Sequence, residues 1–143
     1  MRKTLFGAIA LAAMFVGGAA HAAQLTVMKS PYCGCCAKWI EHVQQHGFTV
    51  KVVDTEEMAA VKKRLGVPDK LASCHTTMAG GYFIEGHVPA ADIKRLLAQK
   101  PKASGIAVPG MPAGSPGMEM AGREPYATIL VRSDGTTGVF ARH

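Results

Sequence analysis

Charge and aromatic side chains are scarce in this chain. Of its 143 residues, 18% are charged and 6% aromatic, with one tryptophan. Scarce charge beside 48% hydrophobic residues excludes an intrinsically disordered chain, which needs the opposite balance. Four cysteines are too few for a disulfide-dense mini-scaffold. A length of 143 residues leaves little room for a second core and excludes a large multidomain enzyme. No segment repeats at a fixed period. Basic residues do not gather in a stripe, so no nucleic-acid partner is expected. The one basic run, Lys62-Lys63-Arg64, reads as the solvated face of a helix.

A long bilayer span is also lacking. The apolar run at residues 5–16 is short for one. Arg2 and Lys3 precede it, and Ala20-His21-Ala22 offers a small-x-small cleavage site. This is the layout of a secretory signal peptide over residues 1–23, ahead of a mature domain at 24–143. An uncleaved anchor is the alternative. The first cysteine is Cys33, so no lipobox follows the run. Cleavage removes Met1 and Met14 but none of the cysteines. Export places the thiols in an oxidising compartment, where pairs become disulfides unless protected. The bacterial periplasm is the expected location, with no membrane contact after cleavage.

Along the mature chain, residues 25–28 read as a strand and 35–46 as a helix with Trp39, Ile40 and Val43 on one face. Residues 48–53 alternate as a strand. A second helix opens near Thr55 and stops at Gly66-Val67-Pro68. Residues 82–85 form a short strand, and a third helix runs from Pro89 to Pro101. Two final strands flank Ser133-Asp134-Gly135. The order β-α-β-α-β-α-β-β predicts an α/β fold, a small mixed sheet flanked by helices. A thioredoxin-like arrangement leads, because the cysteine cluster lies between the first strand and its helix. Residues 101–125 hold five of the eight prolines and five glycines, and are expected to be one long loop.

The strongest chemical signal is Cys33-Gly34-Cys35-Cys36, three thiols at the start of a helix, where the dipole favours thiolate. Cys33 and Cys36 have redox-dithiol spacing, and Cys35 is a thiol that such a site does not need. Cys74-His75 precedes the strand at 82–85 and would face the first cluster in a thioredoxin-like sheet. Two structural disulfides are the bland reading, but three cysteines within one turn argue for metal or redox use. Met111, Met118 and Met120 lie in the Pro/Gly loop. Thioethers are soft ligands suited to copper(I). For Met111 and Met118, ligation and gap-filling both fit. Met120 and Met78 read as packing. His87 suits either a site or a helix-entry turn. His42 and His46 read as a solvated face.

Several motifs stand in fixed order: Cys33-Gly34-Cys35-Cys36 with Trp39, Ser73-Cys74-His75-Thr76, the run from Gly81 to Pro89, the run from Val108 to Pro112, and Gly114-Ser115-Pro116-Gly117-Met118-Glu119. Together they resemble the CopG copper-resistance family of exported proteins. The resemblance spans about residues 25–140. It implies a thioredoxin-like fold, copper bound through the cysteines, and periplasmic copper handling. Ordinary thioredoxins carry a proline before the facing strand; residues 74–82 have none, which argues against disulfide exchange on protein clients.

The expected metal ligands are Cys33, Cys35, Cys36 and Cys74, with His75, Met111 and Met118 completing or covering the site. The thiolates could bridge more than one copper(I), and the loop would act as a lid. Sequestration, delivery and interconversion of copper(I) and copper(II) all fit, so the sequence leaves open whether the protein is an enzyme. A copper exporter or periplasmic chaperone is the expected partner. The rivals are a thiol-disulfide oxidoreductase using Cys33 and Cys36, and a disulfide-stapled interaction module.

Overall fold

Strand β1 (Gln24–Lys29) sends Leu25 and Val27 into the core, both fully buried. The structure is a computed structural model that describes residues 22–143, so nearly all of the expected signal peptide lies outside the described residues. Helix α1 (Gly34–Gln45) follows the turn at Ser30-Pro31. Its buried stripe is Cys36, Trp39 and Val43, spaced for one helical face. Strand β2 (Thr49–Asp54) lies parallel to β1, as a helical crossover requires. Helix α2 (Met58–Leu65) ends at Gly66, whose φ of 74° closes it in the left-handed region.

Strands β3 (Thr76–Ala79) and β4 (Tyr82–Glu85) form a hairpin through Gly80-Gly81. Both glycines have positive φ, which this two-residue turn needs. Helix α3 (Ala90–Gln99) leads to β5 (Ala103–Ala107), parallel to β4. The hairpin of β6 (Ala127–Arg132) and β7 (Thr137–Arg142) completes the sheet. Strand order is β2-β1-β3-β4-β5-β6-β7, with β3, β6 and β7 supplying the antiparallel pairings.

Side chains alternate across the sheet, and the core divides accordingly. Ile84 and Ile106 join Leu25, Val27, Trp39, Val43, Ile93 and Leu96 on the larger side. Phe83 and Ala107, one residue out of phase, join Val67, Leu71 and Val131 on the other. The expected α/β class, a mixed sheet with flanking helices, is what the chain forms. Among the described residues no helix is long and apolar enough to cross a membrane.

Two strands depart from the sequence reading. Thr76–Ala79 is a strand where a loop is expected, because its cysteine-histidine neighbours obscure the β-branched Thr76-Thr77. Ala103–Ala107 is a strand inside the stretch expected to be irregular. Its residues have poor strand propensity, and pairing with β4 and β6 holds it in place. The irregular segment therefore runs over 108–126, not 101–125.

Gly105 shows how tightly β5 is held. A methyl group there would fall against the Phe83 carbonyl and ring. Gly105→Ala is expected to destabilise the fold by about 1–3 kcal/mol in denaturant unfolding, since neither backbone nor buried ring can yield. An unchanged midpoint would show that β5 is not packed this way.

Candidate metal centre

The register of three strands assembles the site. Met28 near the end of β1 pairs with Thr76 at the start of β3, and Thr76 pairs with Glu85 at the end of β4. The segment after β1, the segment before β3 and the segment after β4 therefore emerge at one end of the sheet. They carry Cys33-Gly34-Cys35-Cys36, Cys74-His75 and His87. The four cysteine ligand atoms lie within 4.8 Å of one another. Cys33 is the N-cap of α1, and Cys35 and Cys36 lie in its first turn. That turn has no side-chain cap and no acidic residue, so its amide groups and dipole are left to favour thiolates.

Cys33 and Cys36 are joined as a disulfide, while Cys35 and Cys74 are free thiols. A disulfide sulfur is not a thiolate ligand, so the four-thiolate set exists only after two-electron reduction. The Cys35 sulfur lies 3.5 Å from that of Cys33 and 3.8 Å from that of Met111. Met111 is thus brought to the cluster, although 49% of it is exposed. Met118 is half-buried and makes no such contact among the described residues. Met120, expected to pack, is 93% exposed. Met78 does pack, against the smaller core cluster.

His87 is fully buried, and its Nε2 lies 2.9 Å from the Cys74 sulfur. Its Nδ1 lies 2.6 Å from the Pro116 carbonyl, which can only accept. The proton is therefore assigned to Nδ1, and Nε2 presents its lone pair to Cys74. Burial lowers the pKa of His87, with the Pro116 bond acting the other way. Burial first, then the like charge that the nearby Cys35 would carry, pushes the Cys74 thiol up to about 12. The pair is accordingly a neutral thiol donating to a neutral imidazole. A soft metal ion would replace that thiol proton.

His75 is also fully buried, and its Nδ1 lies 3.2 Å from the same sulfur. Its ring packs on Trp39 with centroids 4.4 Å apart. Burial holds its pKa well below the ordinary histidine value, helped by His87. Among the described residues its Nε2 has no hydrogen-bond partner. Cys74, His75 and His87 thus form a second donor group sharing one sulfur with the first. Thiolate, thioether and imidazole donors suit a copper or zinc ion rather than magnesium or calcium.

The Pro/Gly segment closes over this end of the sheet. A methyl group at Gly117 would sit 3.0 Å from the Trp39 backbone nitrogen, 3.1 Å from the Cys35 carbonyl and 3.2 Å from His87 Nδ1. Only glycine allows so close an approach at its φ of 90°. Both Glu119 carboxylate oxygens accept the Gly117 N–H. Trp39 Nε1–H donates to the Val88 carbonyl at 2.9 Å, fixing the residue after His87.

The expected ligands Cys33, Cys35, Cys36, Cys74, His75 and Met111 therefore converge. His87 joins them, although its place just before α3 equally suits a helix-entry turn. The signal that locates it is strand β3: with Thr76 opposite Glu85, residues 74 and 87 continue the same register. His42 is not part of a solvated pair, because its Nε2 accepts the Ala90 N–H at the start of α3.

A family model described as a protein of unknown function, DUF411, matches residues 71–118. No curated protein matches the chain. Two solved structures of "Copper resistance protein copG" do. Form 2 is 44% identical, with a TM-score of 0.82 over 85% of this chain and 98% of that one. Form 1 is 45% identical, with a TM-score of 0.79 over 84% of this chain and 96% of that one. Likeness of that extent in both sequence and fold places this chain in the CopG-like copper-resistance family.

Proposed function

We propose that this chain is an exported, periplasmic copper-binding protein serving copper resistance, holding copper(I) through Cys33, Cys35, Cys36 and Cys74. The observation that carries the reading is the convergence of four cysteine sulfurs within 4.8 Å beside the Met111 thioether. Soft sulfur donors in that number favour copper(I), and a thiolate can bridge two ions, so a multinuclear centre fits. His75 and His87 flank Cys74, and the His75 Nε2 is a buried nitrogen without a hydrogen-bond partner among the described residues. Met118 covers the site in this reading. The strand order β2-β1-β3-β4 with its helical crossovers supports a thioredoxin-like core. Half-exposed Met111 offers the side from which an exporter or chaperone would exchange copper.

The Cys33–Cys36 disulfide favours a second, compatible reading in which the site interconverts copper(II) and copper(I). Two copper(II) ions each gain one electron, and the Cys33 and Cys36 thiolates lose the pair as their S–S bond forms. Reduction by an external dithiol would restore the thiolates.

Three outcomes test this. Anaerobic titration of the reduced chain with copper(I) against a competing chelator should show tight binding, weakened more than about tenfold by Cys74→Ser. No binding by the wild type would defeat the copper reading. Next, Cys74 holds its proton at neutral pH, so copper must displace it, and affinity should rise with pH. That slope should be shallower in Cys74→Ser; equal slopes would remove Cys74 from the ligand set. Finally, reduced chain mixed anaerobically with copper(II) should lose the copper(II) paramagnetic signal as two thiols disappear. A signal that persists in the wild type, or is lost equally in Cys36→Ser, would exclude the dithiol as the reductant.

A further inference from the structure

Beneath the metal centre lies a buried ion pair that the copper chemistry does not use. Glu85 is fully buried and is met by Lys62 Nζ. Its Oε2 accepts the Thr76 hydroxyl at 2.6 Å, and Lys62 also reaches Thr76 Oγ1 at 3.0 Å. A buried carboxylate is tolerated only when paired and hydrogen-bonded, and these partners supply both. One more donor completes it: the Ser73 N–H, at 2.7 Å from Glu85 Oε1. The residue immediately before Cys74 is thereby anchored to the sheet.

Ser73 has a second attachment. Its hydroxyl donates to the Gly110 carbonyl, and the Gly110 N–H reaches back to the Ala72 carbonyl at 3.4 Å. A methyl group at Gly86 would lie 2.5 Å from Ser73 Oγ and 2.7 Å from the Val108 carbonyl, so the three segments meet without spare space. The next residue after Gly110 is Met111, whose half-exposed side chain has little packing of its own to fix it beside Cys35.

We propose that Ser73 is a positioning residue that joins the two halves of the metal centre, fixing the Met111 thioether relative to the cysteines. The proposal rests on the copper reading above for its consequence, but its geometry stands in the metal-free chain. The anchored backbone N–H sets Cys74, and the hydroxyl carries that placement across to Gly110 and Met111. Removing the hydroxyl leaves the first attachment intact and cuts the second, together with the hydroxyl's 3.9 Å approach to the Cys74 sulfur.

Two measurements on the full mature chain test it. In the metal-free protein with the Cys33–Cys36 disulfide formed, a nuclear Overhauser contact between the Met111 methyl and the Cys35 β-protons should be present and should vanish in Ser73→Ala. Copper(I) competition titrations then form a cycle with Met111→Leu. Each single variant should bind about tenfold more weakly, and Ser73→Ala should cost nothing further in the Met111→Leu background. A merely structural serine would lower the melting temperature in both backgrounds and give additive affinity losses, which would overturn the proposal. A Met111–Cys35 contact that survives Ser73→Ala would overturn it as well. If the wild type binds no copper, the copper reading fails, while the metal-free contact still decides the role of Ser73.

Discussion

The antiparallel register of β1, β3 and β4 is the constraint on which this molecule turns. Main-chain hydrogen bonds fix Met28 opposite Thr76 and Thr76 opposite Glu85. A slip of one residue would turn every side chain of β3 to the other face. It would also part Cys74 from His87, and both from the cysteines that open α1. The hydrophobic pattern protects this register, since Ile84 lies in the larger core and Phe83 in the smaller one. Site geometry and core packing are thus one requirement.

Around that register the chain builds outward in shells. Sulfur and imidazole donors face one another at the end of the sheet. Behind them, carbonyls and a carboxylate set their orientation: Pro116 fixes the His87 proton, Val88 receives the Trp39 indole, and Glu85 receives Ser73. Such outer partners commonly matter to metal affinity nearly as much as the ligands. The glycine-rich segment closes the site because Gly117 lets backbone approach the start of α1 more closely than any side chain allows.

Electrostatics at the centre is governed by burial, which keeps His75, His87 and the Cys74 thiol neutral. The uncapped start of α1 offers its dipole to negative charge beside them. The result is a graded site, with neutral buried donors inside and the half-exposed Met111 thioether toward the surface. A soft cation entering it would meet the exposed Met111 and Cys35 side first.

Much of this was legible in the sequence, where the chemistry is local. Three thiols in four residues, a helix starting at them, a second cysteine-histidine pair and a methionine-bearing Pro/Gly loop can be seen without coordinates, because spacing along one chain fixes them. Tertiary structure alone decided what depends on pairing. It made strands of Thr76–Ala79 and Ala103–Ala107, whose stability comes from neighbours rather than propensity. It brought His87 to Cys74 while giving Met118 no sulfur contact among the described residues, and it buried Glu85 against Lys62. Residues far apart in sequence acquire a distance only when the sheet register closes, and sequence spacing carries no information about that distance until the register is known.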